Sequence, residues 1–496
     1  MSDAATTAPV GAPPAGVPLA APVAGPGLFD RALRRLTSVW REMAASVGVE
    51  EDDSVEAQIQ ACLSGRGGEV SARNRAAKLA QTYLSLDTAG RRDLLRTLAG
   101  FDSDPDAVAR AYAAVQDAAD PAARAEAQAA LRRALEPPRL RLLTRFTSIP
   151  DGRKFLVDLR EFLLAHRKQD KLLAALEADL RRLLAAWFDI GFLELQRIDW
   201  ASPAALLEKL VGYEAVHEIR SWRDLKNRLD SDRRCYAFFH PRMPGEPLIF
   251  VEVALVQGLA VSVQKLLDEK APVLDPREAD TAIFYSISTC QRGLAGISFG
   301  NFLIKRVAEE LSTEFRSLKT FATLSPIPGF RRWLDPKLAA NEAGLLTEGE
   351  TQALAAVIPG PPAAALQEIL GRRGFWRDPA LLRAAEPALL RLGSHYLLRE
   401  GDSKRALDPV AHFHLSNGAR LERITVGADT SEKGMKASAT MMVNYLYDLG
   451  KIEDWHEDYA GEGRRNASSA VRRLVGRQWT VAGGQAGIFR QPGALA

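Results

Sequence analysis

Ser325 opens the run Ser325-Pro326-Ile327-Pro328-Gly329-Phe330, in which two prolines stand one residue apart. Each proline fixes its own φ and pushes the residue before it toward extended backbone. The hydroxyl is therefore presented at the end of a strand with little conformational freedom. A plain rigid turn reads the same way. Upstream, Gly293, Gly296 and Gly300 interrupt the chain between an apolar run, Ala282 to Ile287, and an amphipathic stretch starting at Asn301. Such glycines let a backbone approach a ligand and turn N–H groups toward an anion. The positive end of the following helix favours a pyrophosphate there. A third set lies in Asp408–Arg420, DPVAHFHLSNGAR, where His412 and His414 alternate with Ala411, Phe413 and Leu415. Read as a strand closed by Asn417-Gly418, with Leu421 to Val426 as its return, this places both imidazoles on one face. Two histidines so placed serve a metal, although no third ligand is evident, or one of them manages a proton for a serine. A structural pair hydrogen-bonded in place is the plain alternative.

The elements that must carry these groups follow from periodicity. Thr281 to Phe330 reads as strand, glycine loop, helix, strand and proline-locked turn. That is a parallel βαβ unit whose loops open on one sheet edge. Arg234–His240 and Leu248–Leu255 read as a further strand pair around PRMPGEP. Ser221-x-x-Asp224 has the form of a capping box, starting a helix through Leu229. Residues 333–399 return to helical periodicity, broken at Pro359-Gly360-Pro361-Pro362, and read as an insertion between sheet elements. Asp429 to Leu449 reads as a last amphipathic helix, with Met435, Ala439, Met442, Val443 and Leu446 on one face and Gly450 as its stop.

The block FYSIS…QRGLAGISFGNFLIKR…LSPIPGF, with DPVAHFHLSNGA and MMVNYLYDL, resembles malonyl-CoA decarboxylase of the single-chain, biotin-independent family. The likeness extends back through Arg233 to Leu255 and more faintly into the N-terminal helices. It implies an α+β, two-domain chain: an N-terminal all-α helical bundle and a C-terminal acetyltransferase-like (GNAT) α/β domain with a helical insertion. It also implies conversion of malonyl-CoA to acetyl-CoA and carbon dioxide with no organic cofactor and no metal. By this resemblance Ser325 and His414 are the catalytic serine and histidine, and Tyr447 lines the site. The thioester-binding loop maps to Ala295, Gly296, Ile297, Ser298, Phe299, Gly300 and Asn301. The family further implies a homo-oligomer, a tetramer, with contacts in the helical domain. Two departures stand out. Ser298 occupies a place where some relatives carry glutamate. The loop also fits the acetyltransferase pyrophosphate pattern poorly, since Ala295 stands at its basic position. A CoA-dependent acyltransferase of the same fold is the alternative function; the Ser325 and His414 pair favours decarboxylation.

Bulk properties agree with such an enzyme. A chain of 496 residues exceeds one hydrophobic core. The reading divides it into a tail at 1–27 rich in Ala and Pro, expected to be disordered, a helical domain at 28–190 and a catalytic domain at 191–496. Helix-period apolar residues run through Phe29–Met43, Ser71–Leu84, Ala89–Ala99, Asp106–Ala119, Pro121–Leu135, Leu140–Phe146, Gly152–Arg167 and Asp170–Phe188. A net charge of +3 with scattered arginines gives no nucleic-acid footprint. Cys62, Cys235 and Cys290 form no CxxC pair, which fits a reducing, cytoplasmic setting. Cys290 reads as a small buried residue. No apolar run is long enough to span a membrane, and the tail lacks the basic and apolar regions of a secretory signal.

Overall fold

The computed structural model describes residues 39–45, 54–64, 68–297 and 303–476. Residues 1–27 and the loop positions Ser298, Phe299, Gly300 and Asn301 lie outside the described residues.

The βαβ unit forms as its sequence requires. Strands β1 (Glu194–Ile198), β2 (Arg233–Phe239) and β3 (Pro247–Val256) precede β4 (Thr281–Thr289). The helix Leu303–Glu314 buries Leu303, Ile304, Val307, Ala308 and Leu311 and leads to β5 (Thr320–Thr323). β4 and β5 pair in parallel, from Thr281 opposite Thr320 to Phe284 opposite Thr323. β6 is the two-residue strand Ser325–Pro326, β7 is Arg420–Thr425 and β8 is Met442–Tyr447. The sheet order is β1-β2-β3-β4-β5-β8-β6, with β7 also on β8. Among the described residues, the chain is thus helical before β1 and mixed α/β from β1 onward, the α+β class read from the sequence.

Contact clustering divides the chain into two units. One comprises Met1–Trp222, Tyr236–Phe250 and Ser288–Gly300, and the other Arg223–Cys235, Val251–Ile287 and Asn301–Ala496. In the first, the helices Glu69–Ser85, Thr88–Gly100, Gly152–His166 and Lys171–Trp187 bury Leu79, Leu95, Leu156, Leu176 and Leu180. Phe155 meets Trp40 and Tyr83 edge-on. The buried Arg160 side chain pairs with Glu177 and donates to the Gly293 carbonyl at 2.6 Å. Gly293 itself has a packing role: a Cβ there would stand 1.8 Å from the Val157 carbonyl oxygen. The first glycine of the loop is therefore required by a neighbouring helix, which the ligand-binding reading of that residue did not foresee.

Two sequence expectations are corrected. Residues 409–416 form a helix, Pro409–Ser416, in place of a strand, so the anticipated hairpin does not exist. Asp408 caps that helix by accepting from the Val410 and Ala411 N–H groups, and Pro409 occupies the first turn. Asn417 ends it, and Gly418 follows in left-handed backbone with φ +74. Asp429–Leu449 is likewise not one helix. The helix Glu432–Ser438 stops where Ala439 and Thr440 take positive φ, and β8 follows. The Thr440 hydroxyl accepts from the Gly427 N–H, which stabilises this bend.

Gly418 has no room for a side chain, since a Cβ would lie 2.1 Å from the Ile452 carbonyl oxygen. Gly245 also has positive φ, +69, but open space around it. Gly418→Ala is expected to cost about 2–4 kcal/mol and Gly245→Ala about 1 kcal/mol. Paired denaturant titrations of the two variants check this; equal losses would remove the argument from close approach.

Candidate active site

Ser325 sits where the parallel unit ends. Its backbone pairs with Val443 of β8, and Pro326 pairs with Met442. The side chain is nearly buried, 6% exposed. Its Oγ lies 2.9 Å from His414 Nε2 and 2.8 Å from Thr323 Oγ1. On the other side of the ring, His414 Nδ1 lies 2.8 Å from the Tyr447 hydroxyl. Tyr447, His414, Ser325 and Thr323 thus form one line of hydrogen bonds inside the second unit. The His414 ring stacks on Tyr445 with centroids 4.4 Å apart and planes 25° apart, which fixes the imidazole plane.

Burial sets the protonation states. The imidazole of His414 is pushed down to about 3, because the interior opposes its charged form. Burial likewise drives the Tyr447 phenol well above its ordinary value. In the free protein at neutral pH the ring is therefore uncharged and carries one proton. That proton sits on Nε2 with Tyr447 donating to Nδ1, or on Nδ1 with Ser325 donating to Nε2.

The helical geometry of 409–416 separates the two histidines. Residues two apart on a helix are turned by about 200°. His412 Nδ1 accordingly meets the Tyr459 hydroxyl at 2.8 Å, away from Ser325. This corrects the expectation of both imidazoles on one strand face, and with it the shared-cation reading. Among the described residues no group of three His, Cys, Asp or Glu is placed to hold a metal ion. Also among them, no helix is long and apolar enough to cross a membrane.

One carboxylate joins the serine turn to the histidine helix. Asp408 is fully buried. Its Oδ1 accepts from the Val410 and Ala411 N–H groups at 2.9 and 3.0 Å. Its Oδ2 accepts from the Gly329 N–H at 3.4 Å and from the Tyr396 hydroxyl at 3.3 Å. Gly329 must be glycine here, because a Cβ would stand 2.1 Å from the Tyr396 hydroxyl. Burial raises the Asp408 carboxyl above its ordinary range, opposed by the N–H groups that face it.

The structure thus brings Ser325, His414 and Tyr447 together. Of the seven loop residues expected to bind substrate, Ala295, Gly296 and Ile297 are described. Ala295 and Gly296 form a turn after Arg292–Leu294, and Gly296 has φ +73. Sequence reasoning missed Asp408, Tyr396, Thr323 and Asn444. The Asp408-Pro409 pair carried a signal, since a capping residue followed by proline marks a helix start. Tyr396, on the long helix Pro379–Arg399, carried none.

Asp408→Ala leaves the Gly329 N–H buried without its partner and removes a helix cap, so a loss of about 2–4 kcal/mol is expected by denaturant unfolding. His414 supplies a pH test. Its folded value lies below the unfolded one, so the stability of the neutral form is complete above about pH 6.5 and falls as pH drops toward 3. His414→Asn is expected to reduce the slope of unfolding free energy against pH between 6 and 4 by about 1.4 kcal/mol per unit. An unchanged slope would mean that the ring is not held neutral.

Comparison with known proteins gives the family. The family model of the malonyl-CoA decarboxylase C-terminal domain matches residues 191–483, and that of the N-terminal domain matches 101–188. The chain is 37% identical over 423 residues to mitochondrial malonyl-CoA decarboxylase of Anser anser anser, covering 82% of this chain and 84% of that protein. For the Mus musculus protein the identity is 38% over 422 residues, covering 82% and 86%. A crystal structure of malonyl-CoA decarboxylase from Rhodopseudomonas palustris superposes with a TM-score of 0.76 at 42% identity, covering 85% of this chain and 99% of that one. The Agrobacterium vitis structure gives 0.76 at 40%, covering 85% and 100%. With both domain models matched in order and relatives similar along most of their length, the chain belongs to the malonyl-CoA decarboxylase family of enzymes.

Proposed function

We propose that this protein converts malonyl-CoA to acetyl-CoA and carbon dioxide, with Ser325 and His414 handling the proton. The observation that carries this reading is the buried line from Tyr447 through His414 to Ser325. Loss of carbon dioxide breaks the bond between the carboxylate carbon and the α-carbon. The electron pair passes into the thioester as an enolate, which then takes one proton at carbon. Two demands follow: donors for the enolate oxygen, and a proton at the right distance.

The family resemblance assigns the first demand to N–H groups of the Ala295–Asn301 loop. Preorganised donors of that kind are worth about 3–4 kcal/mol each in comparable sites. The Ser325–His414 pair meets the second. A neutral imidazole in the free protein is a poor acid. The malonyl carboxylate is itself an anion, and an anion beside the ring favours the charged form. Binding of substrate thus favours uptake of one proton from solvent by His414. Nδ1–H then donates to the Tyr447 oxygen and Nε2–H to Ser325 Oγ. As carbon dioxide leaves, Ser325 orients toward the α-carbon, the proton moves to carbon, and the ring returns to its neutral state. The charge of the carboxylate passes to the enolate and is cancelled by the proton delivered to carbon, so carbon dioxide and the acetyl thioester leave uncharged at the reacting end and the site resets.

Mass spectrometry of malonyl-CoA incubated with the purified protein, without ATP, biotin or added metal, tests the reaction. Acetyl-CoA is the expected product, and unchanged thioester would refute the proposal. His414→Asn is expected to fold and to reduce turnover by at least about a hundredfold, the usual scale for loss of an acid–base group. Turnover near that of the parent protein would remove His414 from the chemistry.

A further inference from the structure

We propose that Thr323, backed by Asn444, is a positioning residue that aims the Ser325 hydroxyl; this rests on the role of Ser325 argued above. The basis is a gap in the sheet. β5 pairs with β8 at Phe321 opposite Tyr447 and Ala322 opposite Leu446. β6 resumes the same register with Ser325 opposite Val443 and Pro326 opposite Met442. Between them, Thr323 and Leu324 stand opposite Tyr445 and Asn444 outside the paired register. The Leu324 N–H points away from β8, to the Phe284 carbonyl, and extends the parallel pairing with β4.

Two side chains fill that gap. Thr323 Oγ1 accepts the Tyr445 N–H at 3.1 Å, a donor that an unbroken ladder would satisfy with a carbonyl. Asn444 Nδ2 donates to the Thr323 carbonyl at 2.8 Å and to the Ala260 carbonyl at 3.0 Å. Thr323 and Asn444 are almost fully buried. The threonine hydroxyl then has one remaining partner, Ser325 Oγ at 2.8 Å. The Tyr445 N–H thereby fixes Thr323 Oγ1, and Thr323 Oγ1 fixes the rotamer of Ser325. The same residue 445 supplies the ring that stacks on His414. Serine and histidine are thus indexed to one point on β8, on either side of its backbone. Asn444 Oδ1 is buried without a hydrogen-bond partner, a cost that natural cores rarely carry away from functional sites. The amide is retained for its donors, which hold the gap open.

Steady-state kinetics with malonyl-CoA on the full chain test this. Thr323→Val keeps the shape and removes the hydroxyl. It is expected to lower kcat by about ten- to a hundredfold while KM changes less than about twofold, because misaiming a reacting group costs turnover before binding. Thr323→Ser is expected to restore kcat to within about threefold of the parent protein. A purely structural role would lower Tm and leave the kcat of the folded protein unchanged, which overturns the proposal. Should Thr323→Val not fold, Thr323→Cys replaces it; its thiol is a weak partner, so kcat below that of Thr323→Ser is expected and equal values overturn the proposal. In a Ser325→Ala background, Thr323→Val is expected to cause no further loss, since it acts through that hydroxyl; a full additional loss overturns the proposal. If Ser325→Ala alone is fully active, the role of Ser325 is what fails. If Ser325→Ala is slow and Thr323→Val is normal, only the positioning role fails.

Discussion

A single buried carboxylate holds the site together. Asp408 accepts four donors from three segments: the first turn of the helix Pro409–Ser416, the turn at Gly329 and the long helix carrying Tyr396. Its Oδ1 starts the helix that delivers His414, and its Oδ2 pins the proline-locked turn that delivers Ser325. The Ser325 hydroxyl and the His414 imidazole stand 89 positions apart in the chain, yet one side chain is common to both supports. An ionised carboxylate inside a protein is costly unless each oxygen finds donors. Here the donors are mostly backbone N–H groups, which cannot drift to another rotamer. The cost of burial therefore becomes a constraint on geometry, and the separation of Ser325 and His414 inherits it.

The polar line that results is buried and closely partnered. Its members are a phenol, an imidazole and two hydroxyls, none carrying a fixed charge in the free protein. Such a line avoids the penalty of a permanent buried ion. The stacked ring of Tyr445 adds stiffness and holds the plane of the imidazole.

Much of this was legible in the residues. The βαβ unit announced itself by an apolar β-branched run, glycines, an amphipathic stretch and a second strand, and the double proline announced a restrained Ser325. The N-terminal helices followed from their period. The errors have a common cause. Ala411, His414 and Leu415, the buried residues of 409–416, fit helical spacing as well as the alternating pattern fits a strand, and eight residues are too few to separate the two by period. The Asp-Pro start settles it in favour of a helix. In the 429–449 stretch, β8 lies between strands on both sides and is almost wholly buried, so its apolar residues run without alternation and mimic a helix face. The left-handed pair Ala439 and Thr440, neither of them glycine, gave no warning of the break. Thr323 and Asn444 were unreadable for another reason: their hydrogen bonds bridge a break in the register between strands, which is a property of the fold.

The segment from Asp408 to Gly418 is bounded tightly at both ends, by a cap at its start and by a glycine pressed against the Ile452 carbonyl at its finish. Each helical residue advances the direction of the next by about 100°. Adding or deleting one amino acid between those anchors would swing the imidazole a quarter-turn or more away from Ser325, with no slack to absorb the error. Point changes on the outer side of this helix leave the pitch intact. The length of this segment is therefore a tighter requirement than the identity of the side chains on its outer face.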